Sequence, residues 1–162
     1  MKHTLSVLLR NQPGALSRVT GLFSGRCFNI QSLCVAETFD PQVSCLTVVT
    51  HGEASIIEQI TKQLHKLIDV IKVNDVSEGE FVEREMALIR VKAEASTRAE
   101  VLRIIDIFRG KVVDISPKTL TLEATGSQQK VDAIIKMVKP FVIKEIARTG
   151  RVALKREFQG DV

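Results

Sequence analysis

The chain has 162 residues, of which 44% are hydrophobic and only 4% aromatic, with no Trp or Tyr. That suffices for one medium domain or two small ones around an aliphatic core. The net charge of +4, spread over 26% charged residues of both signs, reads as a solvated surface; it argues against a nucleic-acid binder, which needs a concentrated basic face or aromatic stacking platforms.

Period-2 alternation marks strands and a 3.6-residue period marks helices. Leu5, Val7 and Leu9 alternate with polar residues, so 2–9 reads as a strand. Leu16, Val19, Leu22 and Phe23 share one helical face over about 14–24. Residues 28–38 read as extended, Asp40-Pro41 as a turn and 43–50 as a second extended run, together a hairpin. Ile56, Ile57, Ile60, Leu64 and Leu67 trace the next helix stripe, and 70–73 a short strand. A polar, Gly-containing stretch follows at 74–80.

The order then returns. Met86–Ala93 is strand-like, and Val101, Ile104, Ile105 and Phe108 form a helix stripe opened by Ser96-Thr97 as a cap. Two short β runs, 112–115 and 120–124, flank Ser116-Pro117-Lys118. Val131, Ile134, Ile135 and Val138 make a further helix, and 141–147 a closing strand. The pattern β-α-β-β-α-β thus occurs twice, which predicts an α+β protein of two ferredoxin-like domains in tandem. Each is expected to be an antiparallel sheet with helices on one face. The expected boundaries are 1–76, a linker at 77–82, a second domain at 83–158 and a tail at 159–162. Halves this small have thin cores and open sheet edges, so a homo-oligomer is expected.

Chemistry is sparse. No nucleophile elbow, phosphate loop, zincin or dinucleotide fingerprint occurs. Cys27, Cys34 and Cys45 form no C-x-x-C, and His3, His51 and His65 match no zinc spacing. They read as free thiols in a reducing compartment and scattered imidazoles. The opening MKHTLSVLL is ended by Arg10 too soon for a signal peptide, and no run approaches the ~18 apolar residues of a membrane helix. A cytoplasmic location is expected. Glu83-Arg84-Glu85 reads as a solvated strand entry, and Arg148, Arg151, Lys155 and Arg156 as a basic tail, either solvated or a docking surface.

The stretch RNQPGALSRV (10–19) stands out. Pro13 suits a first helical turn, and Gly14 lets another group approach the backbone. The amides of Ala15 and Leu16 then lie at a helix N-terminus, which attracts a carboxylate. Asn11 precedes them, and Asn29 opens the next strand. Two readings stay open for Asn11: an Asx-type turn or cap, or a ligand contact.

The segments LSVLLRNQPGALSRVTGLFSGRCFNIQSLCVA (5–36), QLHKLIDVIKV (63–73), VEREMALIRV (82–91), FRGKVVDIS (108–116) and TGSQQKVDAIIKMVKPFVIKEIARTGRVALKR (125–156) resemble the regulatory, small subunit of acetohydroxyacid synthase, also called acetolactate synthase. The resemblance spans nearly the whole chain and rests on N-x-P-G-A-L-S-R-V followed by F-N-I-x-S-L. It implies that the first domain is an ACT domain. It also implies a subunit without catalytic residues, which binds and activates a thiamine-diphosphate-dependent catalytic subunit and makes it sensitive to valine. The pathway implied is branched-chain amino acid biosynthesis.

No cofactor is expected in this chain; thiamine diphosphate, Mg2+ and FAD are expected in the catalytic subunit. In the family two ACT domains pair edge to edge and hold the amino acid between them. Matched residue by residue, the implied effector contacts are Asn11, Gly14, Ala15 and Leu16, then Asn29, Ile30 and Val35. Asn11 and Asn29 would hold the polar ends, from opposite subunits. Leu16, Ile30 and Val35 would face the side chain. Cys27 stands where the family often has Gly, and Phe28 where it often has Tyr. The alternative reading is a stand-alone ACT-type amino-acid sensor without an enzyme partner.

Overall fold

The computed structural model describes residues 1–157; Phe158 and the expected tail at 159–162 lie outside the described residues. The described residues divide into two compact units, Met1–Val82 together with Arg151–Glu157, and Glu83–Gly150. Each is built on one antiparallel sheet.

In the first unit, β1 (Lys2–Arg10), α1 (Ala15–Gly25), β2 (Ile30–Glu37), β3 (Val43–His51), α2 (Ala54–Leu64) and β4 (Val70–Asp75) follow in order. The sheet order is β2-β3-β1-β4. Register decides which face is buried: Leu5, Val7 and Leu9 lie opposite Val48, Leu46 and Ser44. With Val73 they meet Val19, Leu22 and Phe23 of α1 and Ile57, Ile60 and Leu64 of α2 in one core. Both helices therefore cover the same face. Burying these aliphatic stripes removes apolar area from water at roughly 25 cal/mol per Å2 and drives the packing. The polar stretch after β4 is held in place: Asp75 accepts from the Ser77 amide at 2.8 Å, and Ser77 Oγ from the Thr4 amide at 2.7 Å.

The second unit repeats the plan with β5 (Phe81–Lys92), α3 (Arg98–Ile107), β6 (Lys111–Ile115), β7 (Thr119–Gly126), α4 (Gln128–Val138) and β8 (Ile143–Arg148), a single 3-10 turn at Lys139–Phe141 preceding β8. Its sheet runs β6-β7-β5-β8. Ala87, Ile89, Val91, Leu120 and Leu122 pack against Val101, Ile105, Val131 and Ile134. Ser127 caps α4 by accepting from the Lys130 amide at 3.3 Å. Thr97 does stand at the start of α3, but its side chain makes no capping bond.

Three features differ from the sequence reading. A further strand, β9 (Val152–Lys155), follows β8. The segment from Arg151 gathers with the first unit, where Arg151 Nη1 donates to Thr4 Oγ1 at 3.1 Å and the Arg156 amide to the Glu80 carbonyl at 3.0 Å. Glu85 is not solvated: it is 5% exposed and takes two bonds from Arg148, Nε at 2.5 Å and Nη2 at 2.9 Å. Arg148 also reaches Asp132 at 2.9 Å, so it is a structural cation inside the second unit rather than part of a solvated tail.

The helix ends explain an unusual cysteine. At the end of α1 the Phe28 amide donates to Phe23 and the Cys27 amide to Ser24. This double-bonded closure requires a left-handed residue, normally Gly. Cys27 fills it at φ 56°, a conformation that strains any residue with a Cβ. Cys27→Gly is expected to raise the chain's stability by about 0.5–1 kcal/mol, read as a higher denaturant midpoint with an unchanged slope.

Candidate functional site

The Asn11–Leu16 stretch is a turn with few alternatives. The Ala15 amide donates to the Gln12 carbonyl at 3.2 Å, and Gly14 lies at φ 85°, ψ −9°. With Pro second and Gly third, this is a type II turn. Pro13 therefore sits before the helix and not in its first turn, because the left-handed Gly14 serves as the N-cap. A Cβ on Gly14 would come within 2.8 Å of Arg18 Nη1, the end of a flexible side chain, so it is the left-handed backbone that demands glycine there.

Arg18 and Asp69 hold this turn against the sheet. Arg18 Nε donates to Asp69 Oδ2 at 2.5 Å, while the Asp69 carbonyl accepts from the Arg10 amide at 2.8 Å. Asp69 is 3% exposed. One buried residue thus ties the end of β1 to α1. Of the two amides expected to be open, that of Ala15 is taken up by the turn, because the helix starts only after Gly14; among the described residues those of Leu16 and Ser17 have no backbone acceptor, which leaves positive helix-end charge directed at the solvent.

Asn11 is fixed on its other side. Its Nδ2 donates to Glu37 Oε1 and to the Pro41 carbonyl, both at 2.9 Å. Its backbone amide donates to the Gln42 carbonyl at 2.7 Å. A carboxylate and a carbonyl only accept, so the amide nitrogen must face them and Oδ1 must face away. The Asx-turn and cap readings of Asn11 are not what the geometry shows; its side chain joins two distant loops.

These residues line a cavity of about 270 Å3, formed by Leu9, Asn11, Ala15, Leu16, Val35 and Glu37 with Arg10, Gln12, Ala36 and Ser44. Val35 and Glu37 pair with Leu46 and Ser44, so both side chains fall on the helix-covered side of the sheet. Its buried lining is Leu9, Ala15 and Ser44, and its exposed lining includes Asn11, Leu16, Val35 and Glu37. It gathers Asn11, Ala15, Leu16 and Val35 beside the Gly14 turn. Asn29 and Ile30 lie elsewhere, at the far end of β2, where the Asn29 carbonyl accepts from Thr50 Oγ1 at 2.7 Å. The length of the strand separates them from the cavity by about 20 Å. Within one chain the expected contacts therefore form two groups.

Sequence reasoning missed Glu37, Arg18 and Asp69. The periodicity that placed Glu37 on the cavity side of β2 was available, but its pairing with Asn11 arises only from the fold. Among the described residues no group of three or more His, Cys, Asp or Glu could hold a metal ion, and Cys27, Cys34 and Cys45 are free. No described helix is long and apolar enough to cross a membrane.

Two βαββαβ units, the first with a turn-and-helix cavity beside an open sheet edge, define a regulatory module of the ACT class. Residues 5–72 match the AHAS small subunit-like ACT domain, and residues 84–157 match the small subunit of acetolactate synthase. The chain is 51% identical over 157 residues to the acetolactate synthase small subunit of Haemophilus influenzae, covering 96% of each chain. It is 50% identical to that of Aquifex aeolicus, covering 96% of this chain and 82% of that one. The crystal structure of the acetolactate synthase small subunit from Thermotoga maritima superposes with a TM-score of 0.89 at 41% identity, over 96% of this chain and 98% of that one. The chain belongs to the acetolactate synthase small subunit family. It is a regulatory subunit rather than a catalytic one, and its partner is the catalytic large subunit.

Proposed function

We propose that this subunit activates the thiamine-diphosphate-dependent catalytic subunit and renders it sensitive to valine, which binds where two first units meet along their β2 edges. The observation that carries this reading is the split of the site. Strand β2 lies at the sheet edge, with β3 as its only neighbour among the described residues, and its outer backbone groups are a template for another strand. Two copies related by a two-fold axis and paired antiparallel along β2 would be centred near Leu33 and Cys34. The partner's Ile30 would then lie beside Glu37 of the first copy, at the mouth of the cavity.

That arrangement unites Asn11, Gly14, Ala15, Leu16 and Val35 of one copy with Asn29 and Ile30 of the other. Each such pair of chains has two equivalent seats. The open amides of Leu16 and Ser17 suit the effector carboxylate, and Leu16, Val35 and Ile30 suit a branched side chain. Control follows by linkage: valine must bind two states of the complex with different affinity, and a tenfold effect needs about 1.4 kcal/mol of coupling. Thiamine diphosphate, Mg2+ and FAD belong to the catalytic subunit in this reading.

Reconstitution tests it. Adding this chain to the catalytic subunit is expected to raise acetolactate formation and to bring valine inhibition with it. An unchanged rate, together with valine binding to the isolated chain, would favour the stand-alone amino-acid sensor.

A further inference from the structure

Glu37 is the one acidic side chain lining the cavity, and among the described residues no cation pairs with it. Arg10 shares the lining but projects from the opposite side of β1: it pairs with Val43, out of phase with Leu5, Val7 and Leu9. Among the described residues the partner of the Glu37 carboxylate is the Asn11 amide, bound to Oε1 at 2.9 Å. Asn11 Nδ2 is therefore fully used by Glu37 and Pro41, which leaves Asn11 Oδ1 and the second carboxylate oxygen of Glu37 as two acceptors at one rim. Both side chains are exposed, and two acceptors carrying a net negative charge at the mouth of a cavity suit a multivalent cationic donor.

We propose that Glu37 receives the ammonium group of the effector and makes the cavity selective for α-amino acids over the corresponding carboxylic acids. This rests on the effector reading above and adds a residue and a specificity to it. Asn11 then serves as an acceptor beside Glu37 rather than as a donor to the carboxylate. The ligand lies with its ammonium toward Asn11 and Glu37, and its carboxylate toward the first turn of α1. A molecule with the same branched chain and carboxylate but no ammonium meets an unneutralised carboxylate and is repelled.

The test is a calorimetric titration of the full-length chain with L-valine and with 3-methylbutanoate, which is valine without its amino group. Glu37→Gln is the informative variant, because its side-chain carbonyl still accepts from Asn11 and keeps that residue in place. The unaltered chain is expected to prefer valine strongly. In Glu37→Gln, valine affinity is expected to fall about 10- to 100-fold, while 3-methylbutanoate binds no more weakly than before. Glu37→Asp should recover part of the loss. Equal valine affinity in Glu37→Gln and the unaltered chain would overturn the proposal, as would an equal loss for both ligands. An unaltered chain that takes up no branched-chain amino acid would instead remove the effector reading, and this assignment with it.

Discussion

An Asn11→Ala subunit is expected to activate the catalytic subunit normally and to leave it resistant to valine. The substitution removes a contact of the effector and also frees Glu37 and Pro41, the two groups that Asn11 bridges. Both effects fall on the cavity rim. Neither reaches the first unit's core, since Asn11 is exposed and the aliphatic residues beneath it keep their neighbours. Loss of charge-assisted hydrogen bonds to an amino acid costs about 1.5–3 kcal/mol, which shifts half-maximal inhibition about 10- to 150-fold upward. Rates of the reconstituted complex against valine concentration give the result directly. Full valine sensitivity in this variant would show that Asn11 does not hold the effector.

Arg148→Ala is expected to destabilise the second unit by about 3 kcal/mol, through the carboxylate it abandons. Glu85 is 5% exposed and receives two of its bonds from this one guanidinium. The pairing with Glu85 holds the Arg148 guanidinium above its ordinary range despite the opposing effect of burial. Arginine is charged at any working pH; what it supplies is a partner for a buried anion. For a domain of this size the loss corresponds to a melting shift on the order of 10–20 °C. Replacing both partners, as in Glu85→Leu with Arg148→Met, is expected to recover most of the stability, because no buried charge is left unpaired. A small melting shift in Arg148→Ala would show that Glu85 finds water or another donor.

The two variants differ in how far the sequence foretold them. The four helices and β1 were legible because their aliphatic residues repeat at one clear period, and the other strands of the two βαββαβ units because they are extended apolar runs bounded by turn residues. Strand β9 was not, since Val152–Lys155 is short and set in a basic run with no stripe to mark it. The Glu85–Arg148 pair spans 63 residues, and local pattern reasoning sees only charges that look solvated. The Pro13-Gly14 pair marked the start of α1, but the sequence reading put Pro13 in the first helical turn, from which the left-handed N-cap at Gly14 excludes it. Glu37 was hidden because its meaning depends on Asn11, which lies 26 residues away across the sheet. Asn29 and Ile30 were placed in the site by resemblance, and one chain by itself keeps them at the far end of β2.

That separation offers the most direct test of the shared seat. If each seat combines Asn11 of one chain with Asn29 of its partner, then Asn11→Ala and Asn29→Ala each destroy both seats in a dimer of identical chains. A mixed dimer of the two variants keeps one intact seat, because the unaltered Asn11 and the unaltered Asn29 then face each other. Calorimetric titration of the two variants with valine, first separately and then after subunit exchange, reads this out. The expected result is no binding by either variant alone and recovery of about a quarter of the seats in an equal, randomly exchanged mixture. No recovery after verified exchange would contradict a seat built from two chains.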